Sequence, residues 1–207
     1  MPFVSAILVA ILAYLLGGFP TGVLLSRFLL GRDVRDFGSH NPGAVNVWRI
    51  FGLKWGLAVV AVDFGKGYIA AKYFPLLGGE NVWSDYPSFL GLFAVAGHIW
   101  SPFTGFRGGK GVGTIAGVAL AVHPLAAVLS LSVWGVMALA TKYSSVASLS
   151  AGGCFPLLVW WGGNVTRAEL FAVCFVPIIL ILTHLENLKR LWIGTELKIG
   201  RSQSHGN

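Results

Sequence analysis

This sequence predicts an all-α, polytopic integral membrane helix bundle of about seven transmembrane helices, and three observations carry that expectation. Of its 207 residues, 55% are hydrophobic and only 11% charged, with a mean hydropathy of +0.73, a balance foreign to a soluble domain. Apolar runs near the 20 residues that cross a bilayer recur along the chain. Finally, the basic residues segregate in a way that only a membrane topology explains, so the net charge of +7 reads as an orientation signal and no nucleic-acid partner is expected.

The first run, Val4 to Ser26, contains Gly17-Gly18 and Pro20, which membrane helices tolerate better than soluble ones. No basic n-region precedes it and it outlasts a typical signal-peptide core, so it is expected to remain as a helix. Leu53 to Phe74 is the second, with Lys54 and Lys72 near its ends and Asp63 and Lys66 inside, three residues apart and expected to neutralise each other. Ser88 to Phe106 is the third. Val112 to Thr141 runs 30 residues without a formal charge and reads either as one overlong helix or as two that meet at His123-Pro124. Tyr143 to Gly162 and Ala168 to Leu188 complete the set. Cys154 and Cys174 lie inside apolar runs and read as packing residues, without support for a disulfide or a zinc site.

Charge decides between one helix and two. With a break at His123-Pro124 there are seven helices, and one side collects Arg27, Arg32, Arg35, Arg49, Lys54, Arg107, Lys110, Lys142, Lys189, Arg190, Lys198 and Arg201, which is 12 of the 15 basic residues. Lys72 and Arg167 fall on the other side and Lys66 within a helix. Cytoplasmic loops carry the excess of Lys and Arg, so the N-terminus is expected outside and the C-terminus inside. The acidic Glu80, Asp85 and Glu169 fall in the outer loops. A single domain, 1–207, accommodates all of this.

Four polar clusters lie on the inner face: Gly38 to Arg49 (GSHNPGAVNVWR), the glycine-rich Arg107 to Gly113 (RGGKGVG), Lys142-Tyr143-Ser144-Ser145, and His184-Leu185-Glu186-Asn187. Polar groups at the margin of the hydrocarbon need partners or a wet cavity, so the four are expected to share a pocket. A glycine-rich turn that leads into a helix points backbone N–H groups at a phosphate, and Lys110 adds a mobile charge. It is not a Walker loop, because Gly111 stands where Ser or Thr is required. No HExxH or GxSxG pattern is present, so no metal and no cofactor is called for, and the spacing of His and Ser selects no nucleophilic pair. Ser39 and Asn41 also read as turn residues before Pro42-Gly43, and Arg49 beside Trp48 as an interfacial anchor.

Taken in order, GSHNPGAVN with the downstream Arg49, GHIWSPF followed by FRGGKGVGT, and the late HLEN resemble the bacterial membrane family of acyl-phosphate:glycerol-3-phosphate acyltransferases, over essentially the whole chain. The resemblance implies transfer of a fatty acyl group from acyl phosphate to the sn-1 hydroxyl of glycerol 3-phosphate. The products would be lysophosphatidic acid and inorganic phosphate, formed without a covalent acyl-enzyme as an early step of phospholipid synthesis at the cytoplasmic face of a bacterial inner membrane. The implied partners are acyl phosphate, glycerol 3-phosphate, membrane lipids and the soluble enzyme that makes acyl phosphate. It implies catalytic roles for Ser39, Arg49, Lys110, His184 and Asn187. Phosphate binding is expected from Asn41, Gly43, Asn46, Arg107, Gly108, Gly109, Lys110, Gly111, Gly113, Ser144 and Ser145. Glu186 is expected to brace the helix end.

That chemistry suits the residues. Acyl phosphate is a mixed anhydride with a good leaving group, so a protein has mainly to hold two anions together and stabilise the developing charge. The attacking hydroxyl can lose its proton to His184 or to a substrate phosphate, and the sequence leaves both open. The rival class is an organophosphate transporter, although transporters usually show repeated halves and a midplane site, whereas the polar clusters here keep to one face.

Overall fold

A computed structural model describes residues 2–78, 86–163 and 165–200 and is helical throughout. Glu80, Asp85, Arg201 and His205 lie outside the described residues. In chain order the helices are α1 (Pro2–Gly18), α2 (Thr21–Leu30), α3 (Ala44–Phe51), α4 (Leu53–Lys72), α5 (Tyr86–Ile99), α6 (Val112–Val122), α7 (Pro124–Thr141), α8 (Ser144–Trp161), α9 (Arg167–Thr183) and α10 (Leu185–Trp192). Short 3-10 turns lie at Val34–Asp36, Phe74–Gly78 and Pro102–Thr104.

The break at His123-Pro124 is present. α6 ends at Val122 and Pro124 opens α7, where its missing N–H costs no hydrogen bond. Three expected runs end differently. Val4 to Ser26 divides at Phe19-Pro20, since proline cannot supply the N–H that would continue α1. The run from Ser88 stops at Ile99, and Pro102 and Gly105 turn the chain into the glycine-rich loop. The last run stops at Thr183, where the chain bends by 56° into α10. By length and hydropathy alone, Val4–Leu30 and Pro124–Thr141 could cross a membrane, as could the bent α9–α10 pair. α5 and α6 are short, at 14 and 11 residues, and α4 carries Lys54, Asp63, Lys66 and Lys72.

Small residues bring the helices together, as they do where lipid offers no hydrophobic drive. A Cβ at Gly17 would overlap the Ala94 carbonyl and one at Gly97 the Tyr14 carbonyl, so α1 and α5 touch backbone to backbone. Gly67 against the Thr114 carbonyl and Gly117 against the Phe64 carbonyl do the same for α4 and α6. Both close contacts flank the connection between α5 and α6, which is the glycine-rich loop. An apolar cluster including Ala119, Phe155, Val159, Val173 and Leu180 joins α6, α8 and α9 on the other flank.

The loops sort into two ends. His123 and Glu169 meet at one end, with 3.1 Å between Nε2 and Oε1. At the other end the Ile199 N–H donates to the Lys142 carbonyl at 2.8 Å, and Lys110 meets Asn187. The four polar clusters occupy this second end.

Candidate active site

The loop from Arg107 to Gly111 is held from two sides. Arg35 grips Asp33 with Nε at 3.0 Å from Oδ1 and Nη2 at 2.8 Å from Oδ2, and its Nη1 donates to the carbonyls of Thr104 and Arg107, each at 3.1 Å. On the bundle side the N–H groups of Gly108 and Gly109 donate to the carbonyls of Ile99 and His98, at 2.9 and 3.1 Å. Both amides, expected to face a phosphate, are engaged with the end of α5. The amides that remain are those of Lys110, Gly111 and the first turn of α6, which begins after Gly111. Gly111 has φ +82°, a backbone conformation that side chains rarely adopt, and Gly113 follows in the helix.

Lys110 leaves this turn, and its Nζ donates to the Asn187 side-chain oxygen. Asn187 Nδ2 donates in turn to Glu196 Oε1 at 2.6 Å. The same carboxylate accepts from Ser145 Oγ at 2.9 Å and from Arg190 Nε at 2.8 Å. Ser145, Asn187 and Glu196 are all buried. One carboxylate thus ties α8, α10 and the C-terminal segment into one network with the loop lysine. Burial pulls the Lys110 ammonium down to about 8, with Arg190 and Arg49 adding to that effect and Glu196 opposing it.

His184 sits at the bend, where its Nδ1 lies 2.8 Å from the Leu180 carbonyl. A carbonyl can only accept, so Nδ1 carries a proton, and in the neutral ring Nε2 keeps its lone pair. Nε2 has no partner among the described residues. The bend also puts Asn187 on a separate helix, so its meeting with Lys110 owes nothing to a continuous α9.

The chain matches the family model described as glycerol-3-phosphate acyltransferase over residues 7–194. The glycerol-3-phosphate acyltransferase of Desulforudis audaxviator is 38% identical over 196 residues, covering 95% of this chain and 96% of that protein. That of Clostridioides difficile is 36% identical over 207 residues, covering 98% and 100%. The chain belongs to the glycerol-3-phosphate acyltransferase family. The crystal structure of PlsY (YgiH), an integral membrane glycerol 3-phosphate acyltransferase, in its glycerol 3-phosphate form superposes with a TM-score of 0.86 at 38% identity, covering 95% of this chain and 96% of that one. Its lysophosphatidic acid form gives 0.83 at 37% identity, covering 94% and 95%. The protein is an acyltransferase and an integral membrane protein.

Within this acyltransferase the expected residues divide into those the fold gathers and those it uses elsewhere. Lys110, Asn187, Ser145 and His184 converge. Arg49 is buried, and its Nε and Nη2 donate to the carbonyls of Lys198 and Leu197 at 3.2 and 3.0 Å, so it holds the C-terminal segment over the site and leaves Nη1 uncommitted among the described residues. Asn46, expected as a phosphate ligand, braces its own loop. Its Oδ1 accepts the Ser39 N–H at 2.9 Å, and its Nδ2 donates to the carbonyls of Phe37 and Val34 at 3.0 and 3.4 Å. Asn41 and Gly43 form a side-chain turn, with the Gly43 N–H donating to Asn41 Oδ1 at 2.9 Å ahead of α3. The Ser39 hydroxyl, half-buried, keeps no partner among the described residues, as does Ser144 at the start of α8. Arg107 is exposed, and its carbonyl rather than its guanidinium is engaged.

Glu186, expected to brace the helix end, is exposed in the first turn of α10, where its charge suits the helix dipole, and makes no side-chain bond among the described residues. The brace is Glu196, ten positions later, which the sequence reading missed. The available signal was its isolation, for it is the one acidic residue after Glu186, among Lys189, Arg190, Lys198 and Arg201.

Proposed function

We propose that this acyltransferase transfers a fatty acyl group directly from acyl phosphate to the sn-1 hydroxyl of glycerol 3-phosphate, giving lysophosphatidic acid and inorganic phosphate. The observation that carries the reading is the juxtaposition of the Lys110 ammonium, anchored on Asn187, with the unprotonated Nε2 of His184 at a helix N-terminus. The hydroxyl oxygen attacks the acyl carbon, the bond from that carbon to the phosphate oxygen breaks, and the hydroxyl proton ends on the departing phosphate. His184 Nε2 is the acceptor that orients the hydroxyl on the way. Lys110 and the α6 amides offset charge on the carbonyl oxygen and the leaving phosphate. Ser39, with its hydroxyl uncommitted, contacts a substrate from the facing loop. An apolar cavity lined by Leu92, Val95, Ile115, Val118, Phe155 and Val176 runs between α5, α6, α8 and α9 and supports a substrate with a long chain.

We further propose that seven segments span a bacterial inner membrane, with the N-terminus outside and the site at the cytoplasmic face. The positive charge of the site end supports this orientation. A cysteine replacing Leu77 should react with an impermeant reagent added to intact cells, and one replacing Arg35 should not; the reverse pattern overturns the orientation.

The function is tested with purified protein, palmitoyl phosphate and glycerol 3-phosphate, without added metal or nucleotide. Lysophosphatidic acid and phosphate should form in equal amounts, and palmitoyl-CoA or palmitoyl acyl carrier protein should give none. Product formation from the thioesters overturns the donor. Uptake of glycerol 3-phosphate into proteoliposomes without any lipid product overturns acyl transfer in favour of transport.

A further inference from the structure

Behind the glycine-rich loop lies a set of buried charges for which acyl transfer has no direct use. Asp63 and Lys66, on α4, pair at 2.9 Å, with side chains only 8% and 3% exposed. Lys66 Nζ also donates at 3.0 Å to the Phe19 carbonyl, which accepts the Thr21 N–H as well, where α1 breaks before Pro20. Thr21 Oγ1 donates to Asp63 Oδ1 at 3.2 Å. The same carboxylate oxygen lies 3.7 Å from His98 Nδ1.

The His98 ring reaches from this cluster to the loop. Its other nitrogen, Nε2, presses on Gly109 so closely that a Cβ at that position would overlap it. The His98 backbone carbonyl accepts the Gly109 N–H at 3.1 Å, so the same residue touches Gly109 through both ring and main chain. A Cβ on Gly113, in the first turn of α6, would stand 3.2 Å from the Asp63 Cβ. Both ends of the loop's final turn therefore rest on this cluster.

Ionisable groups at membrane depth are costly and seldom kept for packing alone. A buried ion pair contributes little net stability compared with apolar residues of the same volume, so stability does not account for this one. Its contacts with the loop do. We infer that Asp63 and His98 form a pedestal that fixes the height of the Gly108 to Gly113 turn and thereby aims Lys110 at Asn187. Both are positioning residues, and neither touches substrate. Gly109 is glycine because the His98 ring fills the space a side chain would need. This rests on the reading of the loop as a phosphate site.

A double-mutant cycle tests it. Gly109→Ala, His98→Ala and the double variant are purified in detergent, and the KM values of glycerol 3-phosphate and palmitoyl phosphate are measured for each. Gly109→Ala in the wild-type background should raise at least one of these KM values about tenfold, with a smaller change in kcat. In the His98→Ala background the same replacement should cost about twofold, because the obstructing ring is gone. Equal fold-changes in the two backgrounds mean that Gly109 answers to the ligand rather than to His98, and overturn the pedestal.

His98→Asn retains a polar group toward Asp63 while withdrawing from Gly109, and it replaces His98→Ala in the cycle should that protein fold poorly. If the wild type forms no lipid product at all, acyl transfer falls on its own. The four proteins would then still report the contact through their apparent melting temperatures, where non-additive shifts uphold the pedestal and additive shifts overturn it.

Discussion

Lys110→Ala should cost about 2 to 4 kcal/mol of transition-state stabilisation, a fall in kcat/KM of about thirtyfold to a thousandfold, comparable to losing one oxyanion donor. The lysine is half-buried and its ammonium donates to Asn187, so the charge is held in place before substrate arrives. Removing it strands the Asn187 oxygen and, on the proposed mechanism, takes a cation away from the departing phosphate. Chemistry should suffer more than binding, with kcat falling further than KM rises. Wild-type kinetics in a well-folded Lys110→Ala protein would make the loop a mere connection and move the phosphate site toward Arg49. The pH profile gives a second readout. The ammonium is charged below about 8, lowered chiefly by burial, so kcat/KM should fall as pH rises through that value. Lys110→Arg keeps its charge across this range and should remove the alkaline limb, even if its plateau is lower.

Glu196→Ala should be the most destabilising single change at the site, by about 2 to 4 kcal/mol, because it strands the two buried donors Asn187 and Ser145 and leaves the partly exposed Arg190 guanidinium without its carboxylate. Arg190, Asn187 and Ser145 all donate to this carboxylate, and the segment that carries it also supplies the Leu197 and Lys198 carbonyls to Arg49. Its loss should free the C-terminal segment and the Lys110 anchor together. The measurement is the apparent melting temperature in detergent beside the activity of the surviving folded fraction. Wild-type stability and kinetics would show that the network is incidental. Burial alone would raise the Glu196 pKa, but hydrogen bonds from Asn187, Arg190 and Ser145 outweigh it and leave the group below its ordinary 4.5. A carboxyl depressed in the folded state stabilises above its unfolded pKa, and that stability is lost as pH falls through the folded value. Wild-type protein should therefore lose stability on acidification below about 4.5, and Glu196→Gln should lose less over the same range.

Much of the architecture was legible because lipid imposes rules that a single chain reveals. The charge count favoured dividing the overlong apolar run at His123-Pro124, and Pro20 divides the first run, whereas Pro156 and Pro177 are carried inside α8 and α9, so proline alone does not place the breaks. The pairing of Asp63 with Lys66 followed from their spacing on one helix face. The exchange of roles between Glu186 and Glu196 could not be read in this way. Glu186 lies inside the late HLEN motif and Glu196 beyond it, and only the 56° bend at His184 and the return of the C-terminal segment decide which carboxylate is buried. The same limit applies to Asn46, Gly108 and Gly109. Their residue types suit a phosphate, but each had nearer backbone partners that become visible only after folding.

By itself the sequence determined an apolar helical chain with its cations toward one face, a glycine-rich turn before a helix, and three ordered motifs of one acyltransferase family. Composition, helix breakers and motif spacing are local properties, and they survive without coordinates. Only the tertiary structure decided which polar groups are left for a substrate. That outcome depends on competition among partners distant in the chain. His98 and Ile99 take two loop amides, Leu197 and Lys198 take two donors of Arg49, and Glu196 takes Ser145, Arg190 and the nitrogen of Asn187. Lys110 and the lone pair of His184 remain poised because the buried polar groups around them are already paired.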